Sequence, residues 1–364
     1  MVYNLPMYKF DGSNYTIEIG SLLTSSFSTV LDAYKELNII VIVDQNTHDS
    51  CLEYLITNFP ELERAEIILL PCGEENKVME VCFQVWNAFT DYSFGRKDLV
   101  INLGGGVVTD MGGFIASVYK RGMNFINIPT SLLGMVDASI GGKTGIDLNN
   151  FKNQLGTFAH PSHIFIDRDF LNTLPAEEIF NGYAEMLKHA LIRDVELWNK
   201  IKIIHSEDEL TTDEVIYHSA KIKASIIEED PNEGGLRKIL NFGHTVGHAL
   251  ESFYMDNTTI SHGHAVALGM CAESYISFKK NRITSSEFKE IERTITTSFP
   301  MISLAPDAIE KVIQLMYQDK KNDKGRICCT LLNGIGSANY DMILNEEEIA
   351  MALLHLSLLA KISN

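Results

Sequence analysis

The chain has 364 residues, of which 45% are hydrophobic and 21% are charged, and its formal net charge is −18 at pH 7. This length exceeds one ordinary hydrophobic core, so we expect two domains. The acidic charge argues against a nucleic-acid-binding protein, which needs a basic face, and no apolar run reaches the ~18 residues that a membrane span requires.

Short apolar runs in the first part of the chain predict the strands of a buried sheet. They lie at residues 38–44, 65–70, 98–103, 124–128 and 163–167. Because they lack a clean apolar–polar alternation, we expect parallel strands covered on both faces. Helical patterns occur between them, for example at residues 76–90 and 111–119, which is the rhythm of an α/β domain.

The pattern changes after Thr173-Leu174-Pro175, where helical periodicity takes over. Only residues 326–332 predict a further strand, and residues 346–360 predict a closing helix. We therefore predict an α/β domain over residues 1–170 and a mostly helical domain over residues 171–364.

The N-terminal segment and the cysteines both indicate a cytoplasmic protein. Residues 1–15 contain no basic region followed by an apolar stretch, so we expect no secretory signal. The six cysteines form no CxxC pair and lack the spacing of a structural zinc site or a disulfide framework. We interpret them as reduced, mostly buried thiols rather than catalytic groups.

A glycine-rich turn, INLGGGVVTDMGGF at residues 101–114, follows one predicted strand and precedes a helix. Such a turn lets backbone N–H groups approach a pyrophosphate at a helix N-terminus. The dinucleotide fingerprint is incomplete because Thr109 occupies its third glycine position, and a tight turn alone would also use glycine. Asp44 ends an earlier strand and could bind a ribose hydroxyl or simply cap a helix. Nothing local explains Lys77, whereas capping would explain Glu74.

A second cluster, PTSLLGMVDASIGGKTGIDLNNFKN at residues 129–153, combines glycines, lysines and hydroxyl residues. It fails the phosphate-loop pattern because Asp137 stands where the first glycine is required. The composition still suits phosphate or polar-substrate binding. Small and apolar residues before Lys143 predict a packed segment that brings this lysine inward.

Two histidines four residues apart, His244 and His248, share one face of a predicted helix. The metalloprotease motif is excluded because Thr245 replaces its glutamate. A histidine from this helix, another from SHGH at residues 261–264, and Glu185 would instead form a three-ligand catalytic zinc site. Helix-capping or buried structural histidines are the alternative.

Taken in order, eight segments make the chain resemble the 3-dehydroquinate synthase family, the sugar phosphate cyclases of the shikimate pathway, over essentially its whole length. The segments are GGGVVTDMGGF, YKRG, PTSLLGMVDASIGGKTGID, FKNQLGTF, TLPAEEIFNGYAEMLKHALI, GLRKILNFGHTVGHALES, SHGHAVALGM and DKK. The resemblance implies an N-terminal Rossmann-like NAD-binding domain, a C-terminal helical metal-binding domain, an active site in the cleft and a homodimer.

The resemblance also implies a reaction. The family converts 3-deoxy-D-arabino-heptulosonate 7-phosphate into 3-dehydroquinate and phosphate by oxidation, phosphate elimination, reduction, ring opening and aldol closure. NAD is regenerated in each turnover. The substrate's own phosphate is largely the base for elimination, and the sequence offers no obvious dedicated general base.

Carried over residue by residue, the resemblance makes Glu185, His244 and His262 the ligands of Zn²⁺, with Co²⁺ as an alternative ion. Asp137, Lys143, Lys188 and His248 are expected to carry catalytic roles. The expected substrate-binding residues are Arg121 from the neighbouring subunit, Lys143, Asn153, Lys223, Arg237, Asn241, His248 and Lys320, which is favoured over Lys321. The expected NAD-binding residues are Asp44, Asn46, Glu74, Lys77, Gly105, Gly106, Asp110, Thr130, Ser131, Lys143, Lys152, Thr173 and Glu178.

One motif departs from the family pattern. Its commonest form is HGE, but this chain has His262-Gly263-His264. We expect His264 to point to solvent or to contact the metal ligands from outside, and a register slip would make it a ligand itself. Competing functions are a valiolone-type cyclase, a glycerol-type dehydrogenase that releases NADH, and an inactive binding protein. Lys223, Arg237 and Asn241 argue against the first because its substrate has no carboxylate.

Overall fold

The computed structural model describes residues 7–149, 151–204, 206–254, 260–317 and 326–362. The chain forms two compact units, Met1–Ile179 with Thr211–Ala224 and Phe180–Leu210 with Ser225–Asn364. The sequence had placed the division near residue 170 and residues 211–224 in the second domain. In this segment Tyr217 stacks on Tyr8 of the first unit with ring centroids 4.8 Å apart, a contact that no local pattern encodes.

The first unit is built on a seven-stranded sheet in the order β1-β2-β9-β6-β5-β3-β4. All neighbours are parallel except β1 and β2. The five predicted strands are present, and β3 and β5 are buried along almost their whole length, as their continuous apolar runs predict. The strands are β1 Tyr8–Asp11, β2 Thr16–Ile19, β3 Ile39–Asp44, β4 Glu66–Leu70, β5 Leu99–Gly104, β6 Asn124–Pro129 and β9 His163–Ile166.

Helices cover this sheet and supply its core. Val108, Met111 and Ile115 of the helix after β5 pack with Ile40 and Val100 of the central strands. Their apolar positions recur at intervals of three and four residues, which puts them on one helix face. The helices that precede α6 (Ala176–Arg193) in the chain are α1 Phe27–Asp32, α2 Gln45–Thr47, α3 Glu53–Asn58, α4 Met79–Asp91 and α5 Gly106–Val118.

An antiparallel hairpin, β7 Lys143–Leu148 with β8 Phe151–Phe158, was not predicted from the sequence. Its residues are rich in glycine, lysine and asparagine, which favours a loop when only local composition is considered. Gly156 explains the close pairing, because a Cβ there would lie 2.1 Å from the carbonyl oxygen of Thr144.

The second unit is mostly helical, so the predicted fold class, α/β followed by α, is confirmed. Besides the predicted strand β10 Ile327–Leu332, it contains an unpredicted partner, β11 Ala338–Leu344. The helices that follow α5 are α6 Ala176–Arg193, α7 Val195–Ile201, α8 Glu207–Leu210, α9 Asp213–Glu229, α10 His244–Tyr254, α11 His262–Lys279, α12 Ser285–Ser298, α13 Pro306–Tyr317 and α14 Glu346–Ile362. Within the described ranges, no helix has the length and hydropathy needed to cross a bilayer.

Candidate active site and metal centre

Three segments with predicted NAD-binding residues lie at the carboxyl ends of parallel strands in the first unit. Asp44 ends β3, Gly104 ends β5, and Thr130 follows β6. Strand β3 has β4 on one side and β5 on the other, so the chain reverses its direction of travel across the sheet at this point. In open parallel sheets, ligands bind beyond the carboxyl ends of the strands at such a reversal. The structure thus places the glycine turn where a dinucleotide site is expected.

The glycine turn shows why the incomplete fingerprint still folds. At Gly104 a Cβ would lie 2.6 Å from the Val108 side chain, so the strand can enter the helix this closely only without one. Thr109, at the missing glycine position, donates from its hydroxyl to the carbonyl oxygens of Gly105 and Gly106. Close packing of helix on strand depends instead on Gly112, where a Cβ would lie 1.9 Å from Asn102 Oδ1.

Lys77 has a role that no local pattern explains. Its side chain is 3% exposed, and its ammonium lies 2.7 Å from Asp110 Oδ2 and 2.8 Å from Asn153 Oδ1. Asn153 adopts a left-handed conformation with φ of 51°. Its backbone N–H donates to Asp147 Oδ1 at 2.7 Å. Lys77 therefore joins a predicted NAD residue to a predicted phosphate residue.

Charge explains how this lysine can be buried. Burial lowers the pKa of Lys77, but Asp110 and Glu74 outweigh it, so the pKa lies above its usual value. Burial also raises the pKa of Asp110, which opposes ionisation of the same pair, while Lys77 lowers it. We take the pair as ionised, because Lys77 faces three acceptor groups and a neutral amine would leave them poorly satisfied.

Replacing Lys77 by methionine is expected to weaken NAD binding by about tenfold or more and to raise the KM for a phosphorylated substrate. The physical reason is that Asp110 and Asn153 both lose the ammonium that fixes them. Fluorescence titration with NADH would measure the first effect. Lys97→Met, at an exposed lysine, is the matched control. Unchanged NADH affinity in Lys77→Met would contradict the assignment.

The other predicted NAD residues are less constrained. Asp44 caps α2, accepting from the Thr47 N–H at 2.8 Å, which is the capping role that the sequence left open. Thr173 contacts the Cys51 thiol, whose pKa is raised to about 11 by burial and by the nearby Asp44 carboxylate. Ser131 lies beside Gly105, since a Cβ on that glycine would be 3.3 Å from Ser131 Oγ. Five members of the predicted set are exposed residues, namely Asn46, Lys143, Lys152, Thr173 and Glu178.

Asp137 and Lys223 form another ionic pair of the first unit. The Lys223 ammonium lies 2.9 Å from Asp137 Oδ1 and donates to the Asp137 carbonyl at 2.7 Å. Lys223 belongs to α9, and Asp137 belongs to a turn of π-helix at Gly134–Ala138.

Lys143 differs from its prediction. It is exposed at the start of the hairpin, directly after Gly142, whose backbone has a φ of 66°.

Arg121 stands on a strained turn. It and Lys120 both have left-handed backbones, with φ of 66° and 48°. The Arg96 guanidinium donates to the Gly122 and Arg121 carbonyls, and Lys120 donates to the carbonyl of Phe94. Two adjacent non-glycine residues in this conformation cost of order 1–3 kcal/mol each and persist only when neighbours enforce them. Arg121 is exposed on this turn.

The metal centre of the second unit is formed by three helices. Glu185 lies in α6, His244 begins α10 and His262 begins α11. Glu185 Oε1 is 3.5 Å from His244 Nε2 and 3.9 Å from His262 Nε2. The three ligand atoms lie within 4.8 Å of one another, so the structure brings together the predicted metal ligands.

The donor set fits a divalent metal ion. Glu185 is almost fully buried, and neither of its oxygens accepts a hydrogen bond of good geometry, although the Lys188 ammonium forms an ion pair with Oε2. A buried carboxylate in this state is costly unless a cation completes its environment. The His244 Nδ1 contacts the Phe242 carbonyl at 3.1 Å, which leaves Nε2 as the lone-pair donor. Two imidazoles and one carboxylate are the ligands of catalytic zinc.

Glycines hold these helices in near backbone contact. A Cβ on Gly269 of α11 would lie 1.9 Å from the Gly243 carbonyl oxygen, and one on Gly247 of α10 would lie 2.9 Å from the Ala265 carbonyl. A Cβ on Gly263 would lie 2.4 Å from the Asn181 Cα of α6. Side chains at these positions would separate the three ligands, so the glycines set the ligand spacing.

The sequence did not identify the group that anchors the start of α10. Glu273 of α11 is fully buried and accepts from the N–H groups of Gly243 at 2.7 Å and Val246 at 3.2 Å. A carboxylate at a helix N-terminus satisfies free N–H groups and the helix dipole. Because Glu273 lies 30 residues after Gly243 in the sequence, no local pattern predicts this cap.

The other two histidines of the cluster, His248 and His264, have different surroundings. The ring of His248 lies 5.2 Å from that of His244 and 5.9 Å from that of His262, beside the metal ligands, and its phosphate role remains a prediction. His264 Nε2 instead lies 2.6 Å from the Pro300 carbonyl, and its ring stacks on Phe299. This histidine therefore neither points freely to solvent nor joins the described metal group.

Arg237 is held by its own loop. It is 2% exposed, and its guanidinium donates to the Pro231 carbonyl at 2.7 Å. Asp230 accepts from the N–H groups of Gly235 and Arg237, and these hydrogen bonds keep the pKa of Asp230 below its usual range. Asn241 donates to Glu233 at 3.1 Å. The predicted phosphate ligand Lys320, and its alternative Lys321, lie outside the described residues.

Family models described as 3-dehydroquinate synthase N-terminal and C-terminal match residues 67–181 and 182–322. A 3-dehydroquinate synthase of Parabacteroides distasonis is 38% identical over 334 residues, which cover 91% of this chain and 94% of that protein. The chain belongs to the 3-dehydroquinate synthase family. A second family member, from Pyrococcus furiosus, is 37% identical over 330 residues, covering 90% of this chain and 96% of that protein.

Solved structures support the same fold. The 2-epi-5-epi-valiolone synthase of Streptomyces hygroscopicus subsp. jinggangensis, with NAD⁺ and Zn²⁺ bound, superposes with a TM-score of 0.80 at 28% identity, covering 97% of this chain and 99% of that one. A 2-deoxy-scyllo-inosose synthase complexed with carbaglucose-6-phosphate, NAD⁺ and Co²⁺ gives a TM-score of 0.82 at 22% identity, covering 96% and 99%. The 3-dehydroquinate synthase family thus shares this two-unit architecture with other cyclases.

Proposed function

We propose that the protein is a 3-dehydroquinate synthase of the shikimate pathway, which converts 3-deoxy-D-arabino-heptulosonate 7-phosphate into 3-dehydroquinate and phosphate. The observation that carries the proposal is the Glu185, His244 and His262 group, found in a chain 38% identical to a 3-dehydroquinate synthase. The six cysteines, all free, suit a reducing compartment, so we place the enzyme in the cytoplasm.

NAD and a divalent metal ion are the proposed cofactors, with zinc as the first choice and cobalt as the alternative. A structural neighbour holds NAD⁺ and Zn²⁺, and another holds NAD⁺ and Co²⁺. When bound, NAD exchanges a hydride with the substrate and the metal ion acts as a Lewis acid on a substrate hydroxyl. The first unit would hold NAD at the glycine turn, and Glu185, His244 and His262 would hold the metal.

The residues of the chain have the following proposed tasks. Lys188 holds a positive charge beside Glu185 and orients a substrate hydroxyl. Asp137 orients a reacting hydroxyl, and Lys223 fixes its carboxylate. His248, beside the metal ligands, binds the substrate phosphate together with Asn241. Arg237 binds the substrate carboxylate, for which its planar guanidinium supplies two parallel donors.

Arg237 is the feature that favours a carboxylate-bearing substrate over sedoheptulose 7-phosphate. Its guanidinium is buried and held by the Pro231 carbonyl, so its orientation is set before substrate arrives. A planar guanidinium supplies two parallel donors to a carboxylate, and the proposed binding mode therefore requires a substrate that carries one. This requirement discriminates against valiolone-type substrates.

The test is phosphate release from 3-deoxy-D-arabino-heptulosonate 7-phosphate with catalytic NAD⁺, before and after chelation and after zinc is restored. Absorbance at 340 nm is recorded at the same time. We expect stoichiometric phosphate and 3-dehydroquinate, no net NADH, and loss of activity on chelation. Phosphate release only from sedoheptulose 7-phosphate would overturn the substrate assignment. NADH accumulation with polyols would instead indicate a dehydrogenase.

We further propose a homodimer in which Arg121 completes the phosphate site of the neighbouring subunit. The support is the strained turn on which Arg121 is exposed. Such strain persists at functional positions where neighbouring groups enforce it.

A mixing experiment tests this arrangement. Arg121→Ala and Glu185→Ala should each be nearly inactive alone, because one lacks the arginine and the other lacks a metal ligand. After the two variants are unfolded together and refolded, half of the dimers are mixed and each has one complete site. Activity should then recover to about a quarter of the wild-type value. No recovery, with mixed dimers demonstrated by mass spectrometry, would place Arg121 in its own subunit's site or in none.

A further inference from the structure

The His262 ring lies between two carboxylates. Its Nε2 is 3.9 Å from Glu185 Oε1, and its Nδ1 is 3.4 Å from Glu251 Oε2. Glu251 lies in α10, seven residues after His244, so the helix that supplies one metal ligand also contacts another ligand from the side. The side chain of Glu251 is 12% exposed, which strengthens an electrostatic contact relative to a fully solvated pair.

We infer that Glu251 is a positioning residue that fixes the ring orientation and tautomer of His262 for metal binding. This inference rests on the metal site of the proposed function. A carboxylate only accepts hydrogen bonds, so the proton of a neutral His262 ring stays on Nδ1. Nε2 then keeps its lone pair and faces Glu185. Carboxylate partners of this kind orient ligating histidines and raise their basicity.

His244 supports the inference because it uses the same arrangement. Its Nδ1 contacts the Phe242 carbonyl at 3.1 Å, and its Nε2 faces Glu185. In both histidines the Nδ1 therefore lies on an acceptor and the Nε2 lies toward the shared carboxylate. The acceptor for His244 is backbone and cannot be removed by substitution. Glu251 is a side chain, so its contribution can be tested.

Glu251 has a competing role as a direct ligand. Its carboxylate, His248 and His262 also form a group whose ligand atoms lie within 4.8 Å of one another. A metal there would share His262 with the Glu185 group through the opposite ring nitrogen. We favour positioning because Nδ1 and the carboxylate are already in hydrogen-bond contact, which a metal between them would break.

The experiment measures zinc affinity and stoichiometry of the purified protein by competition with a chromogenic chelator. We expect Glu251→Ala to weaken zinc binding roughly 10- to 100-fold with one zinc per chain retained. Glu251→Gln keeps an acceptor oxygen for Nδ1 and should lose much less. The matched control is Glu292→Ala, which removes the carboxylate 2.9 Å from His355 Nε2 in the same unit. It should bind zinc like the wild type.

Two further readouts separate positioning from a loss of folding. Urea unfolding in chelator should give similar stabilities for Glu251→Ala and Glu292→Ala, and NADH affinity should be unchanged. The d–d spectrum of the Co²⁺-loaded Glu251→Ala protein should change, because the orientation of one ligand changes. Zinc affinity equal to that of the wild type in Glu251→Ala would overturn the inference and leave the proposed function intact. Two zinc ions in the wild type, with one lost in the variant, would make Glu251 a ligand. A wild type that binds no zinc would overturn the metal site itself.

Discussion

Glu185→Ala is expected to abolish turnover while the protein still folds. Glu185 is the carboxylate that both ligand histidines face, at 3.5 and 3.9 Å. Without it the metal loses a direct ligand, so the loss should exceed the roughly 10- to 100-fold that removal of an outer carboxylate causes. Phosphate release under saturating zinc measures the effect.

A second variant distinguishes the loss of a metal ligand from a loss of folding. Alanine leaves the buried Lys188 ammonium without the Glu185 carboxylate, which could itself cost stability. Glu185→Gln keeps the side-chain volume and should be similarly inactive. Circular dichroism and urea unfolding in chelator report folding. Activity that persists in a metal-depleted sample of Glu185→Ala would remove the metal assignment.

Gly269→Ala is expected to have the largest effect on stability. The added Cβ would lie 1.9 Å from the Gly243 carbonyl oxygen and 2.8 Å from the Gly247 N. Both obstructing atoms are backbone, so no side-chain rotation relieves the clash, and α11 must move away from α10. We expect a loss of about 3 kcal/mol or more in the free energy of unfolding, at the upper end of overpacking effects. Urea unfolding in chelator measures this value.

The same substitution should weaken zinc binding, because it separates the helices that carry His244 and His262. Chelator competition on the folded fraction measures this second effect. The control is Gly95→Ala, where the added Cβ would meet only Asp98 Oδ2 at 3.8 Å, an ordinary contact. Normal stability in Gly269→Ala would mean that α10 and α11 can move apart at little cost in free energy and that the glycines do not set the ligand spacing.

Much of the fold could be predicted because the relevant signals are local. The apolar run at residues 38–44 predicts a buried strand, and the structure has β3 at Ile39–Asp44. The polar hairpin Lys143–Leu148 and Phe151–Phe158 was missed, because its pairing depends on close backbone approach at Gly156 rather than on hydrophobic alternation. The grouping of residues 211–224 with the first compact unit has no local signal, because helical periodicity does not say which surface a helix packs against.

In the candidate site, too, some residues could be predicted from the sequence and others could not. Residue types and family motifs were sufficient to select Glu185, His244 and His262, which the structure brings together. Lys143 was expected to be brought inward by a packed segment, and in the structure it is exposed at the start of the hairpin that follows Gly142. Glu273 and Glu251 were missed, since each acts on a residue of another helix, and a glutamate in a helix has no distinctive pattern.

The sequence by itself determined the α/β-then-helical order and the glycine turn after β5, and its resemblance to a family selected the candidate metal ligands. Each of these depends on residues that are close together in the sequence: on hydrophobic periodicity, on glycines where a Cβ cannot fit, or on a short motif. The tertiary structure alone decided that Glu185, 59 positions before His244 in the chain, lies 3.5 Å from it. That distance depends on helices α6, α10 and α11 meeting at near backbone contact, and such packing is a property of all three surfaces at once.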